Sequence, residues 1–261
     1  MPSESIIYLC INLPWAEERR KSITTQAAKV GINVQFVEAI AGKDLPAEVP
    51  EYDRAERFKC YHNDLTRNEI ACTLSHIKAL KIFLASDAEY AVIMEDDALI
   101  ANNIKQSVHE LTHSLRGWEV AKLYTDDGGT LYSLGDTEGK DSCVRAIFPK
   151  KLLWVAVGFL YTRVGAQKLL AELNTFSLAA DVQIGHILLK KNIPTIGITP
   201  SLITTSDPNN ENSTIGTVDC PRENVGHRSL LQYLRYRLSV VEISRAKKRM
   251  IRLMKKRLHR V

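Results

Sequence analysis

No stretch of this 261-residue chain is apolar over the 18 or more residues that a membrane-crossing helix needs. The opening Met1-Pro2-Ser3-Glu4-Ser5 carries no basic leader and runs straight into an apolar segment, so no secretory signal is expected. The five cysteines, Cys10, Cys60, Cys72, Cys143 and Cys220, are odd in number, widely spaced and without a CxxC pair. That argues against a disulfide framework or a zinc site and for a reducing compartment. Cys10 and Cys72 lie in apolar contexts and are expected in the core. Neither a GxGxxG fingerprint nor a P-loop is present, so any nucleotide must be held by something other than a glycine-rich cradle. Internal repeats and low-complexity tracts are also missing. What remains is a soluble-protein composition, 45% hydrophobic and 25% charged, enough for one large α/β domain or two small ones.

The elements follow from periodicity. Residues 6–13 and 34–40 read as strands, and Glu17 to Val30 as a helix stopped by Gly31. Residues 43–68, with Pro46 and Pro50, read as a long surface loop. Ile70, Leu74, Ile77, Leu80 and Leu84 recur at helical spacing over residues 69–84. A strand follows at 90–94, a helix at 104–115 and a strand at 118–124. Residues 152–161 read as a buried strand, and 164–173 and 182–190 as helices. Pro194 makes 193–198 an edge strand or none. Residues 204–227 form a loop. Strand–helix alternation through the first half implies a mostly parallel sheet covered by helices.

One stretch carries chemistry on its face. Tyr90-Ala91-Val92-Ile93-Met94 is apolar and ends in Glu95-Asp96-Asp97. Three adjacent carboxylates at a strand's C-terminal end repel one another unless a cation sits there. Oxygen ligands of this kind suit Mg²⁺ or Mn²⁺ shared with a substrate phosphate, and ligands of open α/β sheets bind at this edge. The alternative is a solvated acidic turn opening the next helix.

Other segments join it in order. Ile11-Asn12-Leu13 is followed by Glu18-Arg19-Arg20. Glu69-Ile70-Ala71-Cys72-Thr73-Leu74-Ser75-His76 precedes Ile93-Met94-Glu95-Asp96-Asp97. Gly158-Phe159-Leu160-Tyr161, Gly165-Ala166-Gln167-Lys168-Leu169-Leu170, Ala180-Asp181 and Ser213-Thr214-Ile215 come after. Together they resemble glycosyltransferase family 25, which includes lipooligosaccharide galactosyltransferases of bacteria and collagen galactosyltransferases of animals. The resemblance spans residues 6 to about 216. It departs from the family pattern at Ala71, where glycine is usual, and at Ala41, where an acid often stands.

The resemblance implies a GT-A-like single domain with a mostly parallel, Rossmann-like sheet over residues 1–227, and a nucleotide-sugar donor, UDP-galactose. It also implies an inverting transfer that depends on Mn²⁺ or Mg²⁺, with a terminal sugar of lipooligosaccharide as acceptor and a β-1,4 linkage as product. Asp97 is the first metal ligand expected and Glu95, two residues earlier on the same face of an extended segment, its partner. Asp96 is then expected on the donor's ribose or sugar. Asn12 sits where base and ribose would lie, with Arg19 and Arg20 reaching toward the diphosphate or uracil; solvated helix residues are the alternative for both arginines. Glu69 and His76, two turns apart on one helix face, are expected to support donor or acceptor. Asp181 is the expected catalytic base, the alternative being an N-cap for the helix after it. Asp126 and Asp127 stand behind it, and His227 is a further metal candidate.

Net charge is +5, yet nine of the 35 basic residues lie in residues 245–261, which hold no acid; the other 26 face 30 acidic residues in the body. Ile243, Ala246, Met250, Met254 and Leu258 step at helical spacing between those cations. Residues 228–261 therefore read as a basic amphipathic helical tail that attaches the protein peripherally to the anionic inner face of the cytoplasmic membrane. Nucleic acid is not an expected partner, because the tail lacks aromatic stacking residues; a solubilising or disordered tail is the alternative. Cutting the tail near residue 243 is expected to release the protein from membranes and leave transfer intact. A catalytically inactive, glycosyltransferase-like binding module, or a transferase using another nucleotide-sugar, is the competing reading.

Overall fold

The computed structural model describes residues 5–125, 132–133, 145–148, 155–206 and 229–260. The candidates Asp126, Asp127 and His227 and the Ser213-Thr214-Ile215 segment lie outside the described residues.

In chain order the elements are β1 (Ile6–Asn12), α1 (Glu17–Val30), β2 (Val34–Glu38), a 3-10 turn at Gly42–Asp44, α2 (Arg54–Cys60), α3 (Arg67–Ala85), β3 (Tyr90–Glu95), β4 (Ala98–Ile100), α4 (Ile104–Ser114) and β5 (Leu115–Arg116). Then come β6 (Val120–Lys122), β7 (Tyr132–Ser133), β8 (Arg145–Phe148), β9 (Gly158–Thr162), α5 (Arg163–Glu172), α6 (Ala180–Lys190), β10 (Thr195–Thr199), β11 (Ile203–Thr205), α7 (Leu230–Arg257) and β12 (His259–Arg260).

Eight strands form one sheet in the order β2-β1-β3-β9-β6-β10-β8-β7. β1 pairs parallel with β2 and β3, and β6 parallel with β10. β9 runs antiparallel between β3 and β6, and β8 antiparallel between β10 and β7. The sheet is therefore mixed, with β9 and β8 reversed against the other six. That polarity places the C-terminal ends of β1, β3 and β6 on the same edge as the start of β9: Ile11 faces Glu95, Met94 faces Gly158 and Lys122 faces Phe159.

Both faces of the sheet are covered, so its central strands are mostly apolar on both faces rather than alternating. Cys10, Val92, Met94, Ala121 and Leu160 point into one core with Ile23 and Ala27 of α1, Val108 and Leu111 of α4, and Met250 and Met254 of α7. Leu9, Ile11, Ile93, Phe159 and Tyr161 point into the other with Ile77, Leu80 and Phe83 of α3, Leu169 of α5 and Ile184 and Leu188 of α6.

Helix ends follow local chemistry. Gly31 stops α1 in the left-handed region at φ 68°, its N–H on the carbonyls of Ala27 and Ala28. Thr66 and Glu69 form a capping box on α3, and Ser229 and Gln232 form another on α7.

Four expectations change. The 43–68 loop contains α2, capped by Asp53, whose carboxylate accepts from Glu56 N. Of the buried strand expected over 152–161, the described residues begin at Val155, and among them the strand runs from Gly158 to Thr162. The segment containing Pro194 is an interior strand. β10 starts one residue after the proline, which owes the ladder no donor, and the Pro194 carbonyl accepts from Glu119 N and Val120 N. The apolar stripe of the basic tail faces protein: Ile243, Ala246, Met250 and Met254 are buried in the first core. Amphipathicity reports an apolar partner without saying whether it is lipid or protein. β12 then pairs with β5, and at Gly117, φ 92°, a Cβ would stand 2.1 Å from the Arg257 carbonyl oxygen. Even Lys247 is partly enclosed, and burial pushes its ammonium below the usual lysine range. Removing residues 243–261 would strip side chains from the core.

Candidate active site

The site is built on the edge where β1, β3 and β6 end. Asn12, the last residue of β1, is 2% exposed. Its Nδ2 donates to Asp96 Oδ2 at 2.9 Å and to the Ala16 carbonyl at 3.3 Å. Arg19, in the first turns of α1, donates from a guanidinium nitrogen to Asp96 Oδ1 at 2.9 Å. Both Asp96 oxygens are thus held, one by an amide and one by a cation. Asn12, Arg19 and Asp96, each expected separately at the donor site, lie in contact here. Arg20 goes elsewhere, its guanidinium 4.2 Å from the centre of the Phe36 ring on β2.

The strand stops at Glu95, and Asp96 and Asp97 form a turn into β4. Side-chain alternation does not extend through that turn, and each of the three acids has its own hydrogen-bond partners. Glu95 Oε1 meets His76 Nε2 at 3.0 Å and Cys72 Sγ at 4.0 Å. Asp97 is held by β11: Thr205 Oγ1 donates to Oδ2 at 2.6 Å, and Ser206 N donates to the Asp97 carbonyl at 2.9 Å. β11 is in turn laid on β4, pairing Thr205 with Ala98, and Gln26 of α1 clips β4 through Ala98 O and Ile100 N. Asp97 Oδ1 is buried with no hydrogen-bond partner, and so is Asn12 Oδ1. Burial, then the neighbouring charge of Glu95, pushes the Asp97 carboxyl above its ordinary range.

Glu69 is buried, and its Oε2 accepts from Thr66 N at 2.8 Å, so its first task is the capping box. His76, on the same helix, is 2% exposed and faces Glu95.

Asp181 occupies the second position of α6, after the N-cap Ala179. Its Oδ1 accepts from Val182 N at 2.7 Å and its Oδ2 from Val155 N at 3.1 Å. Val155 has φ 59°, a conformation costly for a β-branched residue, so this carboxylate clamps a strained backbone as well as facing the edge. Burial raises its pKa; the two backbone donors lower it, Glu95 raises it and Lys122 lowers it.

Lys122, at the end of β6, went unrecognised in the sequence. It is 1% exposed, and burial pushes its ammonium down to about 7, with Asp181 opposing and Lys247 adding to the shift. Its Nζ lies about 6.0 Å from the centres of Tyr124 and Phe159. Cys72 also escaped: it is half-buried beside Glu95 rather than a core residue.

Whether these residues suit a divalent cation can be judged from their atoms. Asp97 Oδ1 is a buried carboxylate oxygen with no donor, and a hard cation supplies what it lacks. The acids present fit the metal implied for this edge.

Most of the residues that the geometry gathers, though not Thr205 and Ser206, lie within what comparison with known proteins covers. The family model for glycosyltransferase family 25 (LPS biosynthesis protein) matches residues 5–184. Procollagen galactosyltransferase 1-B of Xenopus laevis is 28% identical over 173 residues, 61% of this chain and 27% of its own length. A glycosyltransferase 25 family member of Aedes aegypti is 28% identical over 182 residues, 64% of this chain and 28% of its own. A Haemophilus influenzae protein provisionally named a glycosyltransferase is 28% identical over 165 residues, 61% of this chain and 55% of its own. This chain thus spans about a quarter to a half of the relatives it matches. The family match takes in β1 through the first turns of α6, and with them Asn12, Arg19, His76, Glu95, Asp96, Asp97, Lys122 and Asp181. By that match over most of its length, the chain belongs to glycosyltransferase family 25.

Proposed function

We propose that this chain is an inverting, metal-dependent glycosyltransferase of GT-A type that moves galactose from UDP-galactose to a terminal sugar of lipooligosaccharide, in β-1,4 linkage. The observation that carries the reading is the arrangement at the sheet edge in a family 25 chain. Asp96 is fixed by Asn12 and Arg19, and beside it Asp97 presents a buried, unpartnered oxygen.

Asp97, with Glu95, would hold Mn²⁺ or Mg²⁺, which as a Lewis acid neutralises the diphosphate and stabilises the departing UDP. Asp96, held by Asn12 and Arg19, would accept hydroxyls of the donor's ribose or sugar, and Arg19 would bring positive charge toward the diphosphate. Asp181 is the base: its carboxylate takes the proton of the acceptor hydroxyl as that oxygen attacks the anomeric carbon from the face opposite UDP. Its raised pKa suits the role, because a base must be strong enough to take the proton yet ionised at the working pH. The charge of Lys122 opposes that rise.

The test is UDP release from UDP-galactose with a lipooligosaccharide acceptor, run beside a panel of other UDP-sugars. Activity is expected with Mn²⁺, lost in EDTA, and reduced at least about a hundredfold in Asp97→Asn, whose thermal unfolding stays cooperative. Full turnover of that variant in EDTA would overturn the metal role. A protein that neither releases UDP nor shifts its melting temperature with UDP and Mn²⁺ would be a binding module.

A further inference from the structure

The absence of a CxxC pair argued against zinc at the level of sequence, but a mixed pair on a helix escapes that filter. Cys72 and His76 are four residues apart on α3, so both project from one face. That face meets the end of β3. His76 Nε2 lies 3.0 Å and Cys72 Sγ 4.0 Å from the same oxygen, Glu95 Oε1, and the three ligand atoms all lie within 4.8 Å of one another. Among the described residues this is the one group of three or more such ligand atoms so close together. Asp97, whose ligands would be oxygen alone, is not part of it.

We propose that Cys72, His76 and Glu95 form a three-ligand site for a thiophilic divalent cation of the zinc class. The donor set decides the class: one thiolate, one imidazole and one carboxylate suit Zn²⁺ or Co²⁺, whereas Mg²⁺ and Mn²⁺ take oxygen. Around a tetrahedral zinc, with Zn–S about 2.3 Å and Zn–N about 2.0 Å, ligand atoms sit roughly 3.3–3.7 Å apart. The observed spacing closes on that with side-chain adjustments of about an ångström. His76 is buried, whereas the Glu95 side chain is 31% exposed. The fourth position therefore opens toward solvent, as it does in zinc sites that keep a water or substrate oxygen. Binding displaces the thiol proton to solvent. The thiolate and the carboxylate then balance the two positive charges. Glu95 belongs to both this site and the oxygen-ligated one, so a zinc-class ion here would withdraw Glu95 from the donor's cation. The site stands on its three side chains and does not depend on the sugar-transfer reading.

Cobalt reports the ligands directly. The full chain, reduced and free of nucleotide, is titrated with Co²⁺ and followed by absorption. One equivalent is expected to produce the near-ultraviolet sulfur-to-cobalt charge-transfer band together with the visible bands of a tetrahedral ion. The band should persist in Cys60→Ser and vanish in Cys72→Ser, and His76→Ala should weaken binding at least about tenfold. X-ray absorption on zinc-loaded wild-type protein needs no variant, and should find one sulfur at about 2.3 Å with lighter ligands. Zinc should also protect Cys72 from alkylation, read by mass spectrometry. Cobalt bound without a sulfur band, a band that survives Cys72→Ser, or zinc ligated by nitrogen and oxygen alone would overturn the site. None of these readouts measures galactose transfer, so their failure and the failure of the proposed reaction are told apart.

Discussion

At the scale of single residues, the edge of the sheet holds charges at some cost. Lys122 is the sharpest case: a lysine with an ordinary pKa of 10.5 is held at about 7 by burial. Between those values the unfolded chain binds more protons than the folded one, so this group makes stability rise with pH from about 7 toward 10.5, with no further slope below 7. The rise is up to about 1.4 kcal/mol per pH unit. Lys122→Met should flatten it, as measured by urea unfolding of both proteins at pH 7, 8 and 9. Asp181→Asn is expected to lower kcat by about a thousandfold and remove the acidic limb of the pH–rate profile. Asparagine keeps one acceptor for Val155 N, so a variant that folds and retains near-normal turnover would eliminate Asp181 as the base. The two residues differ in legibility. Asp181, like Asn12, Arg19 and Asp96, stands in an ordered set of motifs, and the structure brings the last three into contact. Lys122 does not, and Cys72 lies within the Glu69–His76 segment without being given a role there. A lysine in a short apolar strand reads as its solvent end, and a cysteine in a helix as packing, until the neighbouring elements are in place.

At the scale of elements, periodicity located the long helices and the first strands to within a few residues, because each buries a regular face. It missed α2, a seven-residue helix, and β4, three residues long, since neither is long enough to show a period. Yet β4 is what carries β11, and β11 supplies Thr205 to Asp97. The partner of α7 was misjudged for a different reason: its sequence displays the stripe but not what lies against it. Met250 is fully buried. Met250→Ala is therefore expected to cost about 2–5 kcal/mol, measurable by denaturant unfolding. A chain ending at residue 242 should lose cooperative unfolding altogether. If it unfolds like the full chain, α7 is dispensable to the core.

At the scale of the whole molecule, α7 still offers a surface, turned away from the body. Leu231, Leu234, Leu238 and Val241 are exposed and step at helical spacing. Arg245, Lys248 and Arg252 continue the same exposed row in basic residues. An apolar stretch leading into cations is complementary to an anionic bilayer, the apolar side chains entering the interface and each cation contributing about 1 kcal/mol. No helix among the described residues is long and apolar enough to cross a membrane; the attachment we propose is peripheral, through this exposed row. Leu234→Glu with Leu238→Glu should reduce co-sedimentation with anionic vesicles at least about tenfold, with the melting temperature little changed because neither side chain is buried. Equal binding of both proteins would refute attachment through this face.

The pairing of Ile11 with Glu95 reaches further than the sheet. It sets Asn12 one residue past the partner of Glu95, which is where its amide meets Asp96. A strand can slip only by two residues if its faces are to stay the same way round, and that step is about 6.6 Å, far beyond the span of a hydrogen bond. The close packing of Leu9, Cys10, Ile93 and Met94 therefore acts as the gauge by which the polar groups are aligned. A chain that collapses with β1 and β3 out of step would have a core and no site.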